Sequence, residues 1–129
     1  MTYCVGMMLD RGLVLMSDTR TNSGVDNISV FRKMHRWEVP GERIIAVMAA
    51  GNLATTQSVV SQLEERSKAP GERRNSLLQS PTMFQVACEM GRVLQATVSG
   101  TQDAHGERGQ GRFTASMIVA GQIAGMEPR

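Results

Sequence analysis

Residues Ile44 to Ala50 form an uninterrupted apolar run, and this run narrows what the chain can become. A bilayer crossing needs about 20 such residues, so the run is too short to span a membrane. Pro40-Gly41 stands before it and Gly51-Asn52 after it, and both pairs are turn signals. The run therefore reads as a strand of the buried type. Hydrophobic residues make up 41% of the chain and charged residues 20%, a globular rather than disordered or fibrous balance. At 129 residues the chain has room for one hydrophobic core and not for two. Aromatic residues are only 4% against 10 methionines, so aliphatic and methionine packing must fill that core or a subunit interface.

The rest of the first half also reads as β structure. Tyr3 to Leu9 and Leu13 to Met16 are apolar runs, and Asp10-Arg11-Gly12 between them predicts a hairpin turning about Arg11. Thr19 to Asn27 is polar and reads as a loop, with Gly24 giving backbone freedom. Ile28, Val30 and Met34 fall in a third extended stretch running towards Trp37. Two helices follow. Asn52 is an N-cap candidate for the first, with Leu53, Ser58 to Val60 and Leu63 on one face and an end near Arg66. Ser67 to Gln79, containing Pro70-Gly71, reads as a loop. Ser80-Pro81 signals the second helix, with Phe84, Ala87, Met90, Val93 and Leu94 at core spacing. Thr101 to Arg112 reads as another loop, and Phe113 to Ala120 as a final strand. Strands followed by helices predict an α+β fold.

Charge excludes one class of partner. The formal charge is +2, from 14 basic and 12 acidic residues mixed along the chain. Arg32-Lys33 and Arg73-Arg74 are dipeptides rather than a basic stripe, which argues against nucleic-acid binding. Cys4 and Cys88 lack metal-ligand spacing and read as small buried hydrophobes. His35 and His105 likewise have no cysteine, carboxylate or second-histidine spacing that argues for a metal, so neither is assigned a role. No charged-then-apolar leader opens the sequence, so a cytoplasmic location with reduced thiols is expected.

The chemistry-bearing feature is Thr2. A residue this small is expected to permit removal of Met1, which would leave a free α-amine beside the Thr2 hydroxyl. An α-amine titrates at about 7.7–8.0, so it can act as a base near neutrality. A threonine hydroxyl needs such a base to become a useful nucleophile. With the hairpin turning about Arg11, Cys4 would lie opposite Asp18 and Thr2 opposite Arg20. Thr2 and Asp18 would then share a face, roughly 7 Å apart. A slip of one residue would break this alignment.

Thr2, the segment Leu13-Val14-Leu15-Met16-Ser17-Asp18-Thr19-Arg20, Gly24, Phe31-Arg32-Lys33 and Ala50-Gly51 together resemble the proteasome β-subunit superfamily, and within it the bacterial Anbu (ancestral β-subunit) branch. Ser17 to Asn22, Phe31 to Met34, Ala50 to Gln57, Met83-Phe84 and Ala115 to Ile123 carry most of the similarity. The resemblance extends over essentially all of residues 1–129, read as the N-terminal part of one β-subunit-like domain. It implies an N-terminal nucleophile hydrolase with a four-layer α-β-β-α sandwich, incomplete on its C-terminal side.

The resemblance also implies roles for individual residues. Thr2 would be the nucleophile of a threonine peptidase. Lys33, as an ammonium, would lower the pKa of the Thr2 hydroxyl and amine, and Asp18 would hold that ammonium by a charge-assisted hydrogen bond. The Gly51 N–H would stabilise the oxyanion. Two positions stay open by one residue: Arg32 for Lys33, where a compact ammonium suits the role better, and Ala50 for Gly51. Thr21 and Asn22 would flank the substrate. The expected substrate is a peptide or unfolded protein, with no cofactor, in a homo-oligomeric ring or open spiral that could pair with an ATP-driven unfoldase. The alternative is a catalytically silent remnant or assembly subunit.

Overall fold

In a computed structural model of the chain, which describes residues 2–22, 28–68, 76–105 and 114–129, the apolar run lies in the middle strand of an antiparallel sheet. The chain opens with a hairpin of β1 (Cys4–Leu9) and β2 (Gly12–Ser17). A short ladder of β3 (Arg20–Asn22) and β4 (Ile28–Val30) follows. The main sheet is β5 (Met34–Val39), β6 (Arg43–Gly51) and β7 (Ala115–Ile123), with β6 between the other two. Helices α1 (Leu53–Lys68) and α2 (Met83–His105) connect β6 to β7. The α+β expectation holds, and the described residues build helix, sheet and hairpin layers.

Strand β6 is apolar from Ile44 to Ala50 because both its faces are covered. Ile45 and Val47 are fully buried against Val59, Leu63, Val86, Met90 and Val93 of the helices. Met48, one step along the pleat, is also buried but points towards the hairpin. A Cβ placed on Gly6 of β1 would stand 3.3 Å from Leu15, 3.9 Å from Met48 and 4.0 Å from Ile118. The missing side chain at Gly6 thus lets the hairpin lie close over β6 and β7. The opposite face of the hairpin is open: Met7, Val14, Leu9 and Met16 are 47%, 42%, 55% and 55% exposed.

Several local expectations are corrected. The hairpin loop is Asp10-Arg11 alone, pairing Leu9 with Gly12 and Cys4 with Ser17 rather than Asp18. Two-residue loops match the right-handed twist of their strands, and Gly12 follows at φ +143°. The segment read as a loop from Thr19 contains β3, while Gly24 lies outside the described residues. The third extended stretch is two strands, interrupted where the Phe31 N–H donates to the Thr19 carbonyl (2.7 Å). Cys4 and Cys88 are half-buried rather than buried.

The helices follow the same pattern of right element and shifted detail. Asn52 caps α1 as expected, its Oδ1 accepting from the Thr55 N–H at 3.1 Å. The helix runs on to Lys68, and its buried face holds Thr55 and Thr56 while Leu53 and Ser58 are exposed. Helix α2 starts at Met83, capped by Thr82, whose Oγ1 accepts from the Gln85 N–H at 3.2 Å. Ser80 lies too far before Met83 to be that cap, and its hydroxyl instead donates to the Ser76 carbonyl at 3.3 Å. Met83 and Val86 are buried with Met90 and Val93, whereas Phe84 and Ala87 face outward. The helix continues through His105, five residues into the expected loop. The final strand extends past Ala120 to Ile123, and Phe113 lies outside the described residues, as does the Pro70-Gly71 turn signal.

One ion cluster fastens the two helices together. Glu89 of α2 is 5% exposed and accepts hydrogen bonds from Arg66 of α1 and, at 3.1 Å, from Arg92 one turn on. A buried carboxylate without its cations is costly, whereas a solvated arginine such as Arg92 adds little. Arg66→Ala, which leaves the buried Glu89 carboxylate with Arg92 alone, is therefore expected to lower stability by about 2–3 kcal/mol. Arg92→Ala should cost under about 1 kcal/mol, and urea denaturation midpoints measure both.

Candidate active site

The junction between β2 and β3 leaves Asp18 beside the start of the chain. The Asp18 N–H donates to the Tyr3 carbonyl (2.9 Å), and the Tyr3 N–H returns a bond to Asp18 Oδ1 (2.7 Å). Asp18 Oδ2 accepts from Lys33 Nζ at 2.7 Å, and the Arg20 carbonyl accepts from the same ammonium at 2.6 Å. Lys33 is 5% exposed, so its charge is held largely away from water by these two oxygens. Its own carbonyl accepts from the Ala49 N–H at 2.9 Å, which fixes the segment to β6. Arg32, the neighbouring cation, is exposed.

Thr2 and Lys33 line one pocket of about 130 Å³. Thr21 and Phe31 form part of its wall, Ala49, Ala50 and Gly51 another part, and Leu53 with Thr56 of α1 closes it. Gly51 has φ +112°, and a Cβ there would stand 2.5 Å from the Thr114 carbonyl oxygen and 2.9 Å from the Ala115 Cα. Only glycine fits such a backbone. The Thr114 carbonyl accepts the next N–H, that of Asn52, at 2.9 Å, so β7 sets the path of the chain past the pocket.

Thr2, Thr21, Lys33 and Gly51 are thus brought together around one cavity, and Asp18 reaches it through Lys33. Asn22 ends β3. The register argument for Thr2 and Asp18 does not survive: Tyr3 stands opposite Asp18, so Thr2 and Asp18 do not share a strand face. Lys33 links them instead. Sequence reasoning gave no site role to Phe31, Ala49, Leu53 or Thr56, which line the pocket, nor to the Tyr3 N–H. No group of three His, Cys, Asp or Glu residues suited to a metal occurs among the described residues. Among the same residues, no helix is long and apolar enough to cross a membrane.

Local electrostatics follow from this geometry. The Lys33 hydrogen bond, with that from the Tyr3 N–H behind it, holds the Asp18 carboxyl below the ordinary carboxylate range. Burial and the Asp18 charge push the neighbouring Cys4 thiol upward, against the opposing pull of Lys33.

This layering of helices on an antiparallel sheet, with a hairpin over its other face and a threonine, a lysine and a glycine around one pocket, is a proteasome-like β-subunit fold. Solved structures give the family. Anbu (ancestral β-subunit) from Yersinia bercovieri superposes with a TM-score of 0.83 at 38% identity, over 100% of this chain and 50% of that one. The helical assembly of the Anbu complex from Pseudomonas aeruginosa gives 0.85 at 37%, over 99% and 51%. An Anbu Gly-1 mutant from Hyphomicrobium sp. strain MC1 gives 0.78 at 40%, over 99% and 50%. The chain belongs to the Anbu family, and it spans about half the length of these relatives. No protein-family model and no curated protein matches it.

The Asp18 geometry predicts an acid limb in stability. A carboxyl held below its ordinary value stabilises the fold above about pH 4, and that contribution fades as pH falls through the lowered value. Asp18→Asn should lower the melting temperature at pH 7 and show a smaller further drop than the wild type between pH 5 and pH 2.5. Thermal melts across that range measure the difference.

Proposed function

We propose that the chain carries the catalytic half of a threonine peptidase of the N-terminal nucleophile type. The observation behind this reading is the buried Lys33 ammonium, fixed by Asp18 and facing the pocket that Thr2 lines. After Met1 is removed, the Thr2 α-amine takes the proton of its own hydroxyl as Oγ attacks a peptide carbonyl carbon. The Lys33 charge favours the alkoxide-like oxygen and the neutral amine, and Asp18 positions Lys33. The Gly51 N–H, or that of Ala50 beside it, stabilises the oxyanion. Collapse of the intermediate breaks the C–N bond, and the leaving amine takes the proton. The resulting Thr2 ester is cleaved by water, which restores the hydroxyl. No cofactor enters these steps.

Thr21 and Asn22 flank an extended peptide in this reading, and the substrate is a peptide or an unfolded protein. A second helical layer over the outer hairpin face would complete a four-layer α-β-β-α sandwich. The helical assembly of the Pseudomonas relative supports a homo-oligomer; in this reading it is a ring or open spiral in the cytoplasm. An ATP-driven unfoldase would be a compatible partner. A second reading is a catalytically silent assembly subunit, and the helical assembly of the Pseudomonas relative is the observation that favours it.

Intact mass and active-site labelling separate the two. The expected result is a chain lacking Met1 that gains one adduct at Thr2 from an electrophile such as an epoxyketone or β-lactone. Thr2→Ala should abolish the adduct and lower peptide hydrolysis by at least about 1,000-fold. Lys33→Arg should not restore the activity lost in Lys33→Ala, because a planar guanidinium does not fit a point-charge seat. A processed, folded chain that takes no adduct would favour the silent subunit.

A further inference from the structure

His35 follows Lys33 by two residues and is the second residue of β5, opposite Val47 of β6. Its ring lies 6.4 Å from that of Trp37, on the face of the sheet that the helices cover. Nε2 is enclosed and has no hydrogen-bond partner, while the ring keeps a bond to the Arg32 backbone. The charged groups acting on the ring are Glu64, from α1, and Arg32, from the segment before β5. Val47 and Trp37 are uncharged. The neutral imidazole therefore suits this position, and a protonated one does not: the new N–H⁺ would sit in an enclosed setting with no acceptor.

We propose that His35 is an acid-sensitive positioning residue, a pin that holds the Lys33 segment against β6 when neutral and releases it when protonated. The connection is short and covalent. Seating the ring fixes Met34 and the Arg32 carbonyl on either side of Lys33, and Lys33 itself is tied to β6 through Ala49. A proton on Nε2 is accommodated by turning the ring out to water, which draws the start of β5 away from Ala49. Lys33 then loses the backbone placement that sets its ammonium against Asp18. The device does not depend on whether Thr2 is a nucleophile, since it concerns only the placement of Lys33.

The direction of the effect follows from the ring's environment. Burial, the largest influence, and the Arg32 charge lower the affinity of His35 for a proton, and Glu64 opposes them in part. A ring released to solvent titrates near 6.5, so protons favour the released state as pH falls below that value. At pH 5 the released ring gains a factor of about 30 from protonation, which sets the ceiling for the shift. Asp18 loses its charge only at lower pH, so the two effects occupy separate windows.

Amide hydrogen exchange at Ala49, whose N–H donates to the Lys33 carbonyl, reads the release directly. After correction for intrinsic exchange, wild-type protection at Ala49 should fall by about 3- to 30-fold between pH 7.5 and pH 5. In His35→Phe and in His35→Gln, neither of which titrates there, protection should stay level over the same range. Having both variants keeps the test usable if one does not fold. Glu64→Gln, which removes the one nearby charge that favours a proton on the seated ring, should leave the onset of the wild-type fall in place and deepen it at pH 5. Protection at Ala49 that is flat with pH in the wild type, an equal fall in the His35 variants, or an imidazole that titrates at or above 6.5 by NMR would each overturn the proposal.

Discussion

A lysine ammonium taken out of water must find its oxygens in the protein, and much of the N-terminal arrangement answers that demand. Lys33 takes one oxygen from Asp18, after β2, and one from the Arg20 carbonyl, at the start of β3. These two bonds join the hairpin, the short ladder and the main sheet at a single atom. Asp18 extends the link with its second oxygen to the Tyr3 N–H, which fixes the residue next to Thr2. The pocket between Thr2 and Lys33 is therefore shaped by the requirement to satisfy one buried charge.

The second organising constraint is the two-sided burial of β6. Helices cover one face and the hairpin covers the other, so Ile45, Val47 and Met48 are all removed from solvent despite pointing in alternate directions. The hairpin itself is one-sided. Its inner face rests on Met48 and Ile118, while its outer face presents Met7, Val14, Leu9 and Met16. Such a face is more apolar than an isolated domain ordinarily shows to water.

What the sequence made legible was chemistry and element type; what it hid was phase. The run from Ile44 to Ala50, the Asn52 cap and the first hairpin were readable because each rests on a local signal of residue type. The hairpin register was not, because Asp10-Arg11-Gly12 fits a loop of two or three residues, and twist decides between them. The cap of α2 was misplaced because Ser80 and Thr82 are both good capping residues, and only the fold shows that the helix begins at Met83. The resemblance singled out Thr2, Asp18, Lys33 and Gly51 from motifs. The lining by Leu53 and Thr56 required knowing how α1 sits against β6.

Gly51 and Gly121 stand near opposite ends of the β6–β7 ladder, paired with Ala115 and Ile45. A Cβ on Gly51 would meet the Thr114 carbonyl oxygen at 2.5 Å, and one on Gly121 would meet that of Ile44 at 2.3 Å. Each end of the ladder thus has one place where no side chain can enter. Sliding β7 along β6 by one residue would bring Ala120 or Gln122 to the place that only Gly121 fits. The two glycines add little attraction to the native pairing. They raise the energy of its nearest competitors, so the correct alignment is chosen by exclusion, and the backbone beside the pocket is fixed with it.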